Sequence, residues 1–212
     1  MRTRLTRAAA AMSAAAILLA GCSGTSTTSA TDTAAATTAT TSVVSSDYTP
    51  DAVRAANEDA TTVNDDEWSL ADAVDLELAG ETVTITEAGV YRLSGSLDGQ
   101  VVVAAPDDAL VVLVLDGVEI SSTTGAAIEV QSADDVAIFL ADGSSNTLSD
   151  TSSYAEDADA DAALFSEEDL TISGTGELTV TGNGNDGITS EDDLVILSGT
   201  ITVTAADDGL RG

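Results

Sequence analysis

The chain of 212 residues is strongly acidic, with 37 Asp and Glu residues against six Arg, no Lys, no His and a net charge of −31. This charge argues against nucleic acid as a partner, because a phosphate backbone would be repelled. Without His or Lys, the chain cannot form a Ser-His-Asp triad, a Cys-His pair or a Schiff base. A typical zinc, copper or haem site is also not expected, since there is only one Cys.

The first residues predict a bacterial lipoprotein signal. A basic start, MRTRLTR, is followed by the apolar stretch 8–20, which is too short to span a bilayer. The motif LAGC, which ends at Cys22, matches the one read by the lipoprotein signal peptidase. We therefore expect residues 1–21 to be removed and Cys22 to anchor the protein by a lipid on the outside of the bacterial cell membrane. Losing three Arg with the signal takes the net charge from −31 to −34.

Residues 22–66 have the composition of a flexible linker. Ser, Thr and Ala dominate up to about residue 47, and the stretch that follows is acidic with few large apolar residues. Such a composition cannot bury enough surface to offset the loss of chain entropy. We therefore assign residues 22–66 to a tether that follows the signal, and residues 67–212 to the folded domain.

A degenerate repeat runs through the predicted domain. Acid pairs precede short runs of aliphatic and β-branched residues, and four of these runs begin at Leu110, Val136, Leu170 and Leu194. Separations of 26, 34 and 24 residues are typical of solenoids or propellers. The short runs, punctuated by Gly, exclude helical repeats and favour an all-β parallel β-helix. Because the sequence stops at Gly212 with one edge of the last coil uncovered, we expect this β-helix to be truncated and incomplete at its C-terminus.

Stacked coils would bring acids of successive repeats together. Equivalent positions of adjacent coils lie ~4.8 Å apart, where two carboxylates repel by about 3–4 kcal/mol at an effective dielectric constant near 20. Carboxylates that are shielded from water therefore need a proton or a cation. Asp161 is offset by one residue from Asp186, so only a bulge would align them. The predicted columns are Glu168/Asp192, Asp169/Asp193 and Asp186/Asp208.

The turn Gly182–Gly187 is the best candidate for a calcium site, because Ca²⁺ accepts oxygen ligands in forgiving geometry and glycines let the carbonyls turn inward. A plain glycine-rich turn would explain the same residues, and adaptation to solubility or high salt would explain the acidity. The loop around Asp157 and Asp159 imitates a calcium loop only in part, because Ala162 stands where Gly is required. The candidate metal ligands are Asp186, Asp208, Asn183, Asn185, Asp207, Asp161 and Asp192.

Aromatic side chains that could stack on a sugar ring are few. Phe139 and Phe165 follow the strand periodicity, which predicts that they lie in the core. Tyr91 and Tyr154 are the predicted surface candidates, whereas Trp68 lies before the repeats.

Five segments resemble a known family. They are GVYRLSGSLDGQVVV at 89–103, LVLDGVEI at 113–120, NTLSD at 146–150, ALFSEEDLTISGTGELTVTGNGNDGI at 163–188 and TITVTAADDGLRG at 200–212. Together they cover about residues 83–212 and resemble the bacterial carbohydrate-binding β-helix lipoproteins, once catalogued as a domain of unknown function. The resemblance implies a right-handed parallel β-helix similar to polysaccharide lyases. It further implies calcium binding and attachment to plant-type or acidic polysaccharides, without established lyase activity. The Asp-Gly-aliphatic turns at Asp186 and Asp208 match the family pattern, so these two acids are the first metal candidates.

The sequence thus predicts a surface-anchored lipoprotein that binds polysaccharide with the help of Ca²⁺ and is not an enzyme. A net charge of −34 would repel an acidic glycan unless Ca²⁺ bridged the two sets of carboxylates. One alternative is a polysaccharide lyase or glycosidase, for which carboxylates are abundant and Arg211 is the one base in the later coils. Another is a structural acidic surface protein without a specific ligand.

Overall fold

The computed structural model describes residues 62–212 and the single residue Ala52. The predicted signal peptide, the predicted lipid site at Cys22 and most of the predicted linker lie outside the described residues. Within the described residues, no helix has the length and apolar composition needed to cross a membrane.

Residues 62–212 consist of strands and turns apart from one 3₁₀ helix at Leu70–Asp72. The strands are β1 (Val74–Leu78), β2 (Thr82–Ile85), β3 (Gly89–Leu97), β4 (Gln100–Ala104), β5 (Leu110–Ser121), β6 (Ile128–Ser132), β7 (Asp135–Leu140), β8 (Ser145–Ser149), β9 (Ala162–Ser166), β10 (Asp169–Gly174), β11 (Glu177–Gly182), β12 (Asp186–Ser190), β13 (Leu194–Ile196), β14 (Thr200–Ala205) and β15 (Leu210–Arg211).

These strands form stacked coils in which each strand pairs in parallel with its equivalent in the next coil. Side A contains β1, β7, β10, β13 and the first parts of β3 and β5. Side B contains β8, β11, β14 and the last parts of β3 and β5, and side C contains β2, β4, β6, β9, β12 and β15. The structure confirms the predicted all-β class and a solenoid-like stack of parallel coils.

A glycine with positive φ marks the corner between side A and side B in each of the last five described coils. The residues are Gly95, Gly117, Gly143, Gly174 and Gly199. At Gly174, φ is +105° and an added Cβ would lie 2.2 Å from the carbonyl oxygen of Leu140 in the preceding coil. Only glycine combines this backbone conformation with so close an approach. The Gly between the two apolar runs of the repeat therefore sets the corner.

The register confirms two of the three predicted spacings. Val136 pairs with Leu170, and Leu170 pairs with Leu194, as the separations of 34 and 24 residues require. The separation of 26 residues is wrong by one, because Val136 pairs with Val111 and not with Leu110. Val111 points into the coil and is fully buried, whereas Leu110 faces outward and is only partly buried. A shift of one residue along a strand exchanges its inner and outer faces.

The interior of the stack is a column of aliphatic side chains. On side A, Leu113, Ile138, Ile172 and Ile196 follow each other in register. The first three are 0% exposed, but Ile196 in the last coil is 40% exposed. Among the described residues, no strand covers the outer edge of β13, which explains this exposure.

Residues 62–73, here called the strap, lie across the outer surface of side A. Val63 is 3% exposed, and its amide nitrogen donates to Thr171 Oγ1 at 3.1 Å. The apolar cluster around Val63 contains the side chains of Val90, Val112, Val114 and Ala137. The structure therefore packs Val63 against the domain, although its position in the sequence assigns it to the linker.

The structure confirms the predicted burial of Phe165 but not that of Phe139, and neither ring lies inside the coils. Phe139 is partly buried on the outer surface of side A, where its ring and the Trp68 ring form an edge-to-face pair with centroids 5.0 Å apart. Phe165 is buried, but it alternates with the inward-facing Leu164 and packs outside side C under Ala160. The strand periodicity identified apolar faces correctly, but it could not distinguish the interior from an outer surface that a loop covers.

Candidate functional site

Asp150 holds the turn that the sequence singles out as a calcium site. The backbone nitrogens of Asn183 and Gly184 donate to the Asp150 carboxylate, to which Tyr154 Oη also donates at 2.7 Å. The Asn183 side chain donates to Ser149 Oγ at 3.0 Å and is therefore directed to the preceding coil. The Asp150 carboxylate therefore closes the turn. The Asn183 side chain is directed away from the other predicted metal ligands.

Tyr154 belongs to this turn and not to an open sugar-binding surface. Its hydroxyl also donates to the carbonyl of Ala162 at 2.8 Å, which closes the insertion between β8 and β9. Burial raises the pKa of Tyr154, and its hydrogen bond to the nearby Asp150 carboxylate raises it further. Sequence reasoning missed Asp150, because this acid is not part of a pair.

Asp186 is buried and its oxygens are already hydrogen-bonded. The residue is 2% exposed. Its Oδ1 atom accepts a hydrogen bond from the Asp208 amide at 3.0 Å, and its Oδ2 atom accepts one from Thr189 Oγ1 at 3.3 Å. Gly187 also donates to the Asp208 carbonyl at 2.9 Å. Asp208 thus follows Asp186 in the next coil, as the repeat predicts. However, Asp208 contacts Asp186 and Gly187 through its backbone, and the residue is exposed.

Asp161 stays offset from Asp186 by one residue. Ala162 pairs with Asp186, so Asp161 lies opposite Asn185, and the bulge that would align the two acids does not occur. The Asn185 side chain donates to Asp161 Oδ2 at 3.2 Å. Asp207 donates its amide to the Asn185 carbonyl at 3.0 Å and has an exposed side chain.

Arg211 joins these acids in what we call the arginine cluster, formed by Asp161, Asp186, Glu191 and Arg211. One guanidinium nitrogen, Nη1, lies 3.7 Å from Asp161 Oδ2 and 3.8 Å from Asp186 Oδ2, and Nη2 lies 3.6 Å from Glu191 Oε1. Burial raises the pKa of Asp161, the Asp186 charge raises it further, and Arg211 offsets part of the rise. The guanidinium group of Arg211 therefore lies between Asp161 and Asp186, two of the predicted metal ligands.

A second group, here called the acid triad, consists of Asp169, Asp192 and Asp193. Carboxylate oxygens of all three lie within 4.8 Å of one another, and the Asp193 amide donates to Asp169 Oδ1 at 3.0 Å. The structure thus confirms that Asp169 and Asp193 are neighbours in adjacent coils. Asp192 belongs to this group and not to the surroundings of Asp186.

Asp135 continues the same column into the preceding coil, where it pairs with Asp169. Its Oδ1 atom is buried without a hydrogen-bond partner within the described residues, as is Oδ1 of Asp161 in the arginine cluster. Burial raises the pKa of Asp135, and the charges of Asp134, Asp169 and Glu67 raise it further. Among residues 62–212, no basic side chain forms an ion pair with Asp135 or Asp169.

The chain is similar to a carbohydrate-binding family and to a solved polysaccharide lyase-like protein. The family described as "Carbohydrate-binding domain-containing protein" matches residues 79–212. A protein with that description from Acetivibrio thermocellus is 41% identical over 162 residues, which cover 74% of this chain and 57% of the relative. The solved polysaccharide lyase-like protein from C. thermocellum, a gadolinium derivative, is 38% identical with a TM-score of 0.59, and the match covers 63% of this chain and 61% of that chain. This chain thus spans less than two thirds of either relative. It belongs to the carbohydrate-binding domain family.

Proposed function

We propose that the protein is a surface-anchored lipoprotein whose coiled domain binds polysaccharide, with Ca²⁺ held at the acid triad. The observation that supports polysaccharide binding is the family match to residues 79–212, which covers every strand from β2 onward. We also infer that the coils wind in a right-handed sense, because crossover connections between parallel strands are right-handed in nearly all proteins. A crystal structure would check the hand.

The acid triad suits Ca²⁺ better than the Asp186 turn does. Ca²⁺ prefers hard oxygen ligands, and the triad places three carboxylates together, one of them on the exposed residue Asp192. Asp186 is instead engaged by Arg211 and by two hydrogen-bond donors. Beside the triad, burial raises the pKa of Asp135, and the charges of Asp134, Asp169 and Glu67 raise it further, which supports an excess of negative charge there. Asp169, Asp192 and Asp193 would therefore hold the ion.

The ligand of the proposed calcium-dependent mode is an acidic or plant-type polysaccharide. A protein with 37 acidic residues repels a polyuronate at distances within the Debye length, about 8 Å at physiological salt. Ca²⁺ bound at the triad would supply the positive charge that the carboxylates of such a glycan require.

The ion pairs of Arg211 argue against a lyase. A β-elimination needs a base that can approach the proton next to a substrate carboxylate. Arg211 instead directs its guanidinium group at Asp161, Asp186 and Glu191. We therefore favour binding without catalysis, and the appearance of unsaturated products from polygalacturonate would overturn this choice.

Anchoring at the membrane rests on the LAGC motif that ends at Cys22. A lipid at this residue would place the domain outside the cytoplasm, at the end of a tether. Fractionation of cells that produce Cys22→Ala tests the anchor. The variant is expected in the soluble fraction, and membrane retention equal to that of the wild type would contradict the proposal.

Retention of the protein on insoluble polygalacturonate tests the proposed function. We expect retention in Ca²⁺ and loss of retention in excess chelator, because the calcium charge is then removed. Retention that does not change with chelator would refute the calcium bridge but not glycan binding. No retention on polygalacturonate or on an uncharged plant glucan, with or without Ca²⁺, would refute polysaccharide binding itself.

A further inference from the structure

A groove runs beside the strap on the outer surface of side A. Its first part has a volume of about 290 Å³ and is lined by Asp65, Trp68, Ser69, Leu70 and Phe139. The second part has a volume of about 380 Å³, shares Asp65 and Phe139 with the first, and continues to Thr175, Leu197 and Ser198. The groove therefore extends along the stack from the strap to the last two described coils.

The strap forms one wall of this groove, because Asp65, Trp68, Ser69 and Leu70 belong to it. Its backbone is fixed at one end by the bond from Val63 to Thr171, and its middle is fixed by the contact of Trp68 with Phe139. Because both anchors lie on packed strands, the groove is largely preformed. Preformed concave sites bind ligands with a smaller loss of entropy than mobile ones.

The lining combines apolar rings with hydrogen-bonding groups. Trp68 is only partly buried, and Leu70 beside it is 44% exposed. Asp65 is exposed, and its carboxylate makes no hydrogen bond or ion pair within residues 62–212. Ser198 Oγ accepts from the Gly174 amide at 3.0 Å, which leaves its hydroxyl hydrogen available to donate. A pyranose ring has a matching character, with an apolar C–H face and a rim of hydroxyl groups.

We propose that this groove is a glycan subsite in which Trp68 is the platform for a sugar ring. The proposal rests on the polysaccharide-binding function above and assigns that function a place on the domain. Phe139 packs against the Trp68 ring in edge-to-face geometry, Asp65 accepts hydrogen bonds from sugar hydroxyls, and Ser198 donates one at the far end. Tyr91, in contrast, lies outside the groove and uses its hydroxyl to bind the Glu87 carbonyl at 2.9 Å.

The charge of the lining selects uncharged sugars at this subsite. Asp65 is its only charged residue within the described part of the chain, and the domain around it is acidic. These negative charges would repel the carboxylate of a uronate, whereas an uncharged pyranose has no charge for them to repel. Binding here is therefore independent of Ca²⁺, which separates the groove from the acid triad.

Tryptophan fluorescence provides a direct test, because Trp68 is the only tryptophan of the chain. The full chain is titrated with an uncharged gluco-oligosaccharide in the presence of chelator. We expect a saturable change of emission, and a dissociation constant that matches retention on the corresponding insoluble glucan. Saturable glycan binding without any change of Trp68 emission would overturn the assignment of the groove while leaving the proposed function intact.

Two variants complete the test. Trp68→Ala should weaken glucan binding by about two- to tenfold, in line with the worth of one aromatic contact, while Tyr91→Ala should bind like the wild type. Trp68→Phe keeps an aromatic ring on Phe139 and should restore much of the affinity even if Trp68→Ala is poorly folded. Equal affinity of the wild type and a folded Trp68→Ala would refute the subsite. Failure of the wild type itself to bind any glycan would refute the proposed function together with it.

Discussion

The arginine cluster and the acid triad differ in how the repulsion between neighbouring carboxylates is offset. In both, the stacking of coils brings several carboxylates close together. The arginine cluster contains Arg211, and Asp186 within it also accepts hydrogen bonds from Thr189 and the Asp208 backbone. In the acid triad, the Asp193 amide donates to the Asp169 carboxylate, and Asp192 is exposed to solvent. Groups of the protein itself therefore hold the acids of the arginine cluster, whereas the three carboxylates of the triad lie close enough together for the cation site that we propose.

The largest expected effect comes from Asp186→Ala, which breaks the arginine cluster. The variant leaves the Asp208 amide without its acceptor and the guanidinium of Arg211 without its buried partner. We expect the free energy of unfolding to fall by about 2–3 kcal/mol, measured by urea denaturation. Calcium affinity, measured by calorimetry, should not change. The exposed neighbour variant Asp208→Ala should stay within about 0.5 kcal/mol of the wild type. Loss of calcium binding with unchanged stability would reverse the roles given to the two groups.

An intermediate effect is expected from Asp192→Asn, which removes one carboxylate from the acid triad. Because the residue is exposed, stability should hardly change, but calcium affinity should fall about tenfold or more as the charge of the ligand set decreases. Calorimetric titration with Ca²⁺ measures this loss. Asp207→Asn removes the same charge from an exposed residue outside both groups and serves as the matched control. If both variants bind Ca²⁺ equally well, the ion is not at the triad.

The smallest effect is expected from Asp135→Asn, measured in chelator. The folded pKa of Asp135 is raised, so its contribution to stability is present below the unfolded pKa of about 4 and is lost as the pH rises through the folded value. The variant should therefore melt a few degrees higher than the wild type at neutral pH, and the difference should disappear in acid. Asp134→Asn, at the exposed neighbour, should show little of this effect. A variant that is less stable at neutral pH would show that the Asp135 charge is compensated.

The coils could be predicted from the sequence because their determinants are local. Acid pairs, apolar runs and a Gly between the runs recur in order, and the structure confirms the resulting registers of Val136, Leu170 and Leu194. The same alignment placed Asp208 next to Asp186. The start of the first run was placed one residue too early, because Leu110 and Val111 are both apolar and the sequence does not show which of them pairs with Val136.

The site contacts could not be predicted, because they depend on side chains that reach between coils. Arg211 is 50 residues from Asp161 in the sequence, and no local pattern connects them. Asp150 closes the 182–187 turn from the preceding coil without belonging to an acid pair. Val63 lies in an acidic stretch, so its burial follows from the apolar outer surface of side A and not from its neighbours in the sequence.

The course of the strap has a consequence for unfolding. Thr62, where the described chain enters the strap, lies beside Asp193 and Leu194 near the last described coil, whereas the strap ends at the first coil. The contacts that Val63 makes with Val90, Ala137 and Thr171 therefore join the strap to strands of several coils. Because these contacts cross the ladders between coils, the strap should make the coils unfold together and not one after another.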